Sequence, residues 1–196
     1  DRRLHSLTPR AFDFSIEYQQ KYLEHYLPVL ENTPYVCGGT HWNFIDFCSA
    51  LRDESMPRIN NKGLVYADRT PKDVYYYYQA AWRKDIPVLH IASRDWTHRS
   101  GVQQGDTPVL LPVKVYSNLP EIELFIDGKS IGKQQTKNYT ATFEVPFSNK
   151  EPLLLAQGNY QGTMVQDGLR VNFRPVPARL NATNLKNLEL AINVGS

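Results

Sequence analysis

Helical periodicity is confined to the first part of this chain and does not return after about residue 85. Between 14 and 27 the apolar side chains recur at the 3.6-residue spacing of an amphipathic helix, and Ser15 is placed to cap its start. Pro28 is expected to stop or kink that helix. The chain therefore divides into a part that carries helices and a part in which the regular elements are strands.

The residues after this break carry short strands, most clearly a β-hairpin. Alternating segments at 122–126 and 129–131 flank Asp127-Gly128, a dipeptide that two-residue hairpin turns favour. Further strand-like segments occur at 86–91, 113–116, 140–145, 153–156 and 168–173. Short strands spaced about ten residues apart predict an antiparallel β-sandwich of the immunoglobulin (Ig) type.

The first 85 residues follow the order of a parallel α/β unit. After the first helix, 35–40 is apolar with two glycines and predicts a short, wholly buried strand. A brief extended piece is predicted at 63–66, followed by a second helix over about 72–82. Thr70 is the expected cap of that helix, and Pro71 suits its first position. Helix, strand, loop and helix in this order favour an α/β architecture.

Charge, cysteine content and motifs exclude several classes of protein. The formal net charge of +2 does not indicate a nucleic-acid partner. Cys37 and Cys48 are expected to be free thiols. No apolar run approaches the ~18 residues of a membrane span, and nucleotide-binding, GxSxG and HExxH motifs do not occur. We expect no cofactor and no metal.

Polar and aromatic side chains follow the predicted 35–40 strand directly. If that strand belongs to a (β/α)8 barrel, His41 and Trp42 stand at the strand end where such barrels bind substrates. An indole face can pack against the C–H bonds of a sugar ring, while Asn60 and Lys62 can hold a hydroxyl or a carboxylate. These residues predict a carbohydrate site, although each alone also suits a capped loop with a solvated lysine.

Three motifs resemble glycoside hydrolase family 2, which includes β-galactosidases and β-glucuronidases. They are GGTHWNFIDF at 38–47, NNKGLVYADRTPKD at 60–73 and YYYYQAAW at 75–82. The sequence at 117–133 is similar to the Ig-like domain that follows the barrel in that family. The resemblance implies an α/β plus all-β fold: the terminal portion of a (β/α)8 barrel at 1–85, an Ig-like antiparallel β-sandwich at 86–176, and a linker at 177–196 that begins another β domain near 188–194.

The resemblance also implies the chemistry. Family 2 enzymes are retaining β-glycosidases, whose two catalytic carboxylates lie about 5–5.5 Å apart. Both would lie upstream of this chain, so we expect no catalytic residue here and no activity of the chain alone. The longer enzyme that would contain it is called the parent enzyme below.

The family's functional residues transfer only where this sequence matches the motifs. Trp42 corresponds to a tryptophan that lines the sugar site, with His41 beside it. Asn60 and Lys62 match an Asn-x-Lys pattern that contacts the substrate carboxylate in β-glucuronidases of the family. Supporting roles are expected for three further residues: Asp46, Asp68 and Arg69, the last two as an ion pair.

The sugar remains open at this point. A β-galactosidase parent is favoured, with a β-glucuronidase as the alternative in which Asn60 and Lys62 hold the uronic acid carboxylate. A non-catalytic carbohydrate-binding or spacer module is the third possibility. The remainder of the parent enzyme or a partner chain is expected to complete the barrel, and the family suggests a periplasmic or secreted protein.

Overall fold

The computed structural model describes residues 4–11, 13–52, 57–148 and 151–178. Two helices are present in these residues, α1 at Ile16–Glu31 and α2 at Asp73–Trp82. The strands are β1 Phe47–Cys48, β2 Ile59–Asn60, β3 Leu89–Ile91, β4 His98–Gln103, β5 Val109–Ser117, β6 Glu121–Ile126, β7 Lys129–Gln135, β8 Thr140–Phe147, β9 Leu153–Tyr160, β10 Thr163–Arg170 and β11 Asn172–Pro177. Neither helix is long and apolar enough to cross a membrane. The strand predicted near 188–194 lies outside the described residues.

Helix α1 begins where the sequence predicts and ends later. Ser15 caps it, because its hydroxyl oxygen accepts a hydrogen bond from the Tyr18 amide at 3.0 Å. Of the two outcomes predicted for Pro28, a stop or a kink, the stop is wrong, since α1 continues to Glu31. Pro28 cannot donate a backbone N–H, but its carbonyl still accepts the backbone N–H of Asn32 at 3.0 Å. The last turn is therefore retained.

The cap of helix α2 lies two residues after the predicted one. Lys72 occupies the cap position, so the assignment of Thr70 as cap and Pro71 as first helical residue is wrong. Pro71 instead forms an isolated antiparallel bridge with Val65, and the Lys72 amide donates to the Leu64 carbonyl at 3.0 Å. These contacts keep the chain extended until Asp73.

The buried strand predicted at 35–40 is not found. This segment has no strand among the described residues, and Tyr35 is 90% exposed. The extended pairing occurs further along, where Ile45 forms a parallel bridge with Val65 and the Asp46 amide donates to the Val65 carbonyl at 3.0 Å. A strand requires a hydrogen-bonded neighbour, which 43–46 has within this chain. The closed barrel is therefore not shown by this structure.

Both cysteines are free, as the sequence predicts. Cys37 and Cys48 are exposed to solvent and form no disulfide.

The second part of the chain is a β-sandwich. One sheet has the order β10-β9-β6-β7, and a second has the order β3-β5-β8. A further pair joins β11 to β4 in parallel. The predicted hairpin is confirmed, because Asp127 and Gly128 have φ values of 49° and 79°, the left-handed values that a type I′ turn requires. Strand β4 was missed, and the strand predicted at 168–173 is interrupted at Val171.

The sandwich core explains why these strands were predictable. In β8 the inward residues alternate with exposed or half-buried ones, as expected for a strand with one buried face. The buried cluster includes residues from both sheets: Ile91, Leu111, Val113, Val115, Ile122, Leu124, Ala141, Phe143, Val145, Phe147, Leu154, Ala156, Leu169, Val171 and Phe173. Local alternation and the core therefore agree.

A second cluster joins the helices to the sandwich. Leu23 and Leu27 of α1 and Tyr77 of α2 belong to the same buried cluster as Tyr116 of β5. The Tyr116 hydroxyl donates to the Glu24 carboxylate of α1. The helical layer and the sandwich are thus connected by apolar packing and by a partly buried hydrogen bond.

Because Tyr77 and Tyr116 are buried, we expect the folded protein to lose stability at alkaline pH. Burial, and next the Glu24 carboxylate, raise the pKa of Tyr116 well above its usual value. Burial likewise raises the pKa of Tyr77. Above about pH 10 the unfolded chain releases tyrosine protons that the folded chain retains, so the free energy of unfolding falls by roughly 1.4 kcal/mol per pH unit for each such tyrosine. Urea unfolding at several alkaline pH values measures this slope.

The contribution of Tyr116 to that slope can be isolated. Tyr116→Phe is expected to reduce it by the share of one tyrosine, about 1.4 kcal/mol per pH unit. Tyr35→Phe is the control, because Tyr35 is 90% exposed, and it should leave the slope unchanged. Equal slopes for wild type and Tyr116→Phe would contradict this account.

Candidate functional site

The candidate site is centred on the loop Asn60-Asn61-Lys62-Gly63, called here the NNKG loop. Residues of α1, of the 41–46 segment and of the turn before α2 all donate to its backbone or accept from it. Bonds inside it also contribute, since the Lys62 amide donates to Asn60 Oδ1 at 3.3 Å. The loop is therefore held from several directions by the surrounding fold.

Beneath the loop lies a buried ion pair. Lys72 Nζ is 2.8 Å from Asp46 Oδ1, and the two residues are 1% and 7% exposed. The same Asp46 oxygen accepts the Gly63 amide at 2.8 Å, and Lys72 Nζ also donates to the Asn61 carbonyl at 2.8 Å. Each member of the pair is therefore bonded to its partner and to the loop backbone.

Burial dominates the electrostatics of this pair. Removal from water lowers the pKa of Lys72 and raises the pKa of Asp46, and in both cases the partner's charge opposes the shift. Lys72 Nζ also lies 5.0 Å from the centroid of the Tyr66 ring, a further stabilising contact for the cation. The pair is held by close hydrogen bonding in a site that disfavours either charge alone.

Two further side chains form hydrogen bonds with the carbonyl of Lys62. His41 Nε2 is 2.9 Å from this oxygen, and Gln19 Nε2 of α1 donates to it at 3.2 Å. Gln19 also donates to the Gly63 carbonyl at 2.9 Å. Burial lowers the pKa of His41, which favours the neutral ring with its Nε2 proton directed at the carbonyl. The predicted site residue His41 is thus bonded to the backbone of the predicted site residue Lys62.

The side chains of the loop have different surroundings. Asn60 is only 5% exposed, and its Oδ1 accepts the hydrogen bond from the Lys62 amide. Asn61 donates through its side chain to the Phe14 carbonyl at 3.1 Å. The Lys62 ammonium lies 5.3 Å from the centroid of the Phe14 ring, a distance at which a cation and an aromatic ring attract each other.

Trp42 lies on an open surface. Its side chain is 69% exposed and meets the Phe47 ring edge to face, with centroids 6.4 Å apart. Phe44 nearby in sequence is 62% exposed. The indole is therefore not sealed in the interior, and its face is accessible for stacking against a ring-shaped ligand.

Asp68 and Arg69 form a turn before α2. Asp68 Oδ1 accepts the Thr70 amide at 2.9 Å, and the Arg69 amide donates to the Tyr66 carbonyl at 2.8 Å. Arg69 adopts a left-handed φ of 71°. These contacts agree with a local role for the two residues, and their mutual ion pair remains a prediction.

Sequence reasoning missed Lys72 and Gln19. The sequence assigned Lys72 only to the start of α2. A lysine is unfavourable there, because its positive charge lies at the positive end of the helix dipole. That conflict, together with a lone aspartate in the apolar run 44–47, is the signal that could have revealed the pair. Gln19 gave no such signal, because its role depends on how α1 packs on the loop. Within the described ranges, no group of three or more His, Cys, Asp or Glu side chains could hold a metal ion.

The chain is similar to several known proteins. A sequence family described as a domain of unknown function (DUF4982) matches residues 109–159, which lie in the sandwich. The chain is 36% identical to a β-glucuronidase of Bacteroides fragilis over 114 residues, which are 57% of this chain and 15% of that protein. It is 28% identical to a β-galactosidase of Bacteroides ovatus over 128 residues, 63% of this chain and 14% of that protein.

A solved structure matches over the full length of the chain. The β-glucuronidase of Bacteroides uniformis is 83% identical and superposes with a TM-score of 0.92, covering 100% of this chain and 23% of that chain. The chain spans between 14% and 20% of the length of the curated relatives that it matches. It therefore corresponds to a segment of each of these proteins.

Proposed function

Because the chain belongs to the glycoside hydrolases of family 2, the group of its β-glucuronidase and β-galactosidase relatives, we propose that it is a segment of a β-glucuronidase. This reverses the order of the two sugars given by the sequence, which placed β-galactosidase first. The reversal rests on the relatives: the β-galactosidase of Bacteroides ovatus is 28% identical, whereas the β-glucuronidase of Bacteroides uniformis is 83% identical. The NNKG motif suits a β-galactosidase as well as a β-glucuronidase of this family, so the motif alone does not identify the sugar.

The observation that carries the proposal is the way in which the NNKG loop presents Lys62. The backbone on both sides of Lys62 is fixed by Asp46, Lys72, His41 and Gln19. A lysine with a fixed backbone can meet an anionic group at a defined position. Glucuronides differ from galactosides in carrying a carboxylate, and a charge-assisted hydrogen bond to it is about twice as strong as a neutral one.

In this proposal the chain supplies one wall of the substrate pocket. The exposed indole of Trp42 packs against the sugar ring, and Lys62 binds the carboxylate with Asn60 beside it. The 43–46 segment, α1 and α2 form the end of a (β/α)8 barrel that the rest of the parent enzyme closes. The two carboxylates of a retaining glycosidase come from that remainder.

The test is Lys62→Ala in the parent enzyme, assayed on nitrophenyl β-glucuronide and nitrophenyl β-galactoside. Hydrogen bonds to charged groups contribute about 1.5–3 kcal/mol, so kcat/KM for the glucuronide should fall roughly ten- to hundredfold. Activity on the galactoside, which lacks the carboxylate, should change little. Lys129→Ala is the matched control, since Lys129 is exposed on β7.

Two results would overturn the proposal. An unchanged glucuronide kcat/KM in Lys62→Ala would show that the lysine does not contact the substrate. A wild-type parent enzyme that prefers the galactoside would restore the β-galactosidase reading.

A further inference from the structure

We propose that Lys72 and Asp46 are positioning residues for substrate selection: their buried ion pair holds the NNKG loop so that Lys62 meets the uronate carboxylate. The inference rests on the proposed function of Lys62, and it extends that function to two side chains that need not touch the sugar.

The geometry places the pair on both sides of Lys62. Lys72 Nζ holds the carbonyl of the preceding residue, Asn61, at 2.8 Å. Asp46 Oδ1 holds the amide of the following residue, Gly63, at 2.8 Å. Because Lys72 and Asp46 are also bonded to each other at 2.8 Å, the two peptide groups that flank Lys62 are tied to one rigid unit. Displacement of either partner would shift the backbone from which the Lys62 side chain extends.

Stability alone is a weak explanation for the pair. Taking two charges out of water costs about as much as their attraction returns, and apolar replacements of a buried pair are often neutral or stabilising. Burial opposes the charged form of both residues here. Lys72 also occupies the N-terminal end of α2, where the helix dipole disfavours a cation. The pair is better explained by its hydrogen bonds to the backbone of the NNKG loop, which apolar side chains could not make.

The remaining loop contacts restrict Lys62 further but do not replace the pair. His41 and Gln19 bind the carbonyl of Lys62 itself, whereas Asp46 binds the amide of Gly63. They leave the Asn61 carbonyl and the Gly63 amide to Lys72 and Asp46. Loss of the ion pair is therefore expected to loosen the loop without releasing it.

The test is Lys72→Met in the parent enzyme, a change that removes the ammonium and keeps an unbranched apolar side chain. A displacement of about 1 Å in a substrate-binding group can cost on the order of a hundredfold in rate. We expect kcat/KM for nitrophenyl β-glucuronide to fall about tenfold, mainly through a higher KM. Turnover of a neutral β-glycoside should stay within about twofold, so the glucuronide-to-neutral ratio falls.

A double-mutant cycle shows whether Lys72 acts through Lys62. In a Lys62→Ala background, Lys72→Met should cause no further loss of the glucuronide-to-neutral ratio, because the group it positions is already absent. Lys114→Met is the matched control: Lys114 forms a partly buried ion pair with Glu24 of α1 at 2.6 Å and has no described contact with the NNKG loop, so its loss should leave the ratio unchanged.

The outcomes separate this inference from the proposed function. If Lys62→Ala leaves the ratio unchanged, the function of Lys62 is wrong. If Lys62→Ala lowers the ratio but Lys72→Met does not, or if their effects add, the positioning role is wrong. Should Lys72→Met fail to fold, Asp46→Asn keeps an oxygen for the Gly63 amide and removes the charge that holds Lys72. It should lower the ratio in the same direction, and an unchanged ratio would reject the inference.

Discussion

Asp73→Ala is expected to lower the melting temperature of the chain by roughly 6–12 °C. Asp73 is 5% exposed, and its carboxylate accepts from His90 Nε2 at 2.7 Å, the Ser93 amide at 2.9 Å and Gln20 Nε2 at 3.1 Å. Removing it leaves three buried or half-buried donors without that acceptor, a loss of about 3 kcal/mol or more. In a domain of this size each kcal/mol shifts Tm by about 2–4 °C.

The effect should be specific to the junction between the helices and the sandwich. Asp73 lies on α2, His90 and Ser93 lie on or just after β3, and Gln20 lies on α1. Asp85→Ala is the control, because Asp85 is exposed and pairs only with the neighbouring Arg83 in the contacts described, so its Tm should change little. Thermal unfolding followed by circular dichroism compares the two variants. Equal shifts would show that Asp73 does not hold the layers together.

The sandwich was predictable because its signals are local. Alternation of apolar and polar residues in β8 indicates one buried face without reference to any other strand. Asp127-Gly128 indicates a turn within a stretch of four residues. The first feature predicts the β8 strand, and the second predicts the turn between β6 and β7. The parallel pairing of β4 with β11 was missed, since it joins segments about 70 residues apart and no short pattern reports it.

The helical part was less predictable because its strands depend on distant neighbours. The apolar, glycine-containing 35–40 segment has strand-like composition, but composition cannot supply the partner that a ladder requires. The segment 43–46 obtains one from Val65. At Pro28 the local rule was too strong: one missing donor near a helix end leaves the remaining hydrogen bonds intact.

For the candidate site, the sequence predicted residue types better than it predicted their roles. His41, Asn60 and Lys62 do lie in one connected group, through the Lys62 backbone. The function of His41 in holding a carbonyl follows from packing that no spacing rule encodes. Asp46 was expected to be a supporting residue, and the structure supplies its partner, Lys72, from 26 residues further along the chain.

Gly63 shows how little free space the NNKG loop has. A β-carbon added there would lie 2.6 Å from both Asp46 Oδ1 and the Val65 carbonyl oxygen, and closer still to the Asp46 amide nitrogen. Two of these atoms belong to the backbone and the third is bonded to Lys72. None of them is the free end of a flexible side chain, so the clash cannot be relieved by a rotamer change.

Gly63→Ala is therefore expected to cost about 3 kcal/mol, the upper end of the usual range for overpacking, and to lower Tm by roughly 6–12 °C. In the parent enzyme it should also lower the glucuronide-to-neutral ratio, because relief of the clash requires the loop backbone next to Lys62 to move. Gly168→Ala is the control: a β-carbon there would meet its nearest neighbour at 3.9 Å, and such a site tolerates alanine within about 0.5 kcal/mol. Suppose that both variants have the same Tm and the wild-type glucuronide-to-neutral ratio. The loop backbone can then move without loss of stability, and rigid presentation of Lys62 is the wrong explanation for the selectivity.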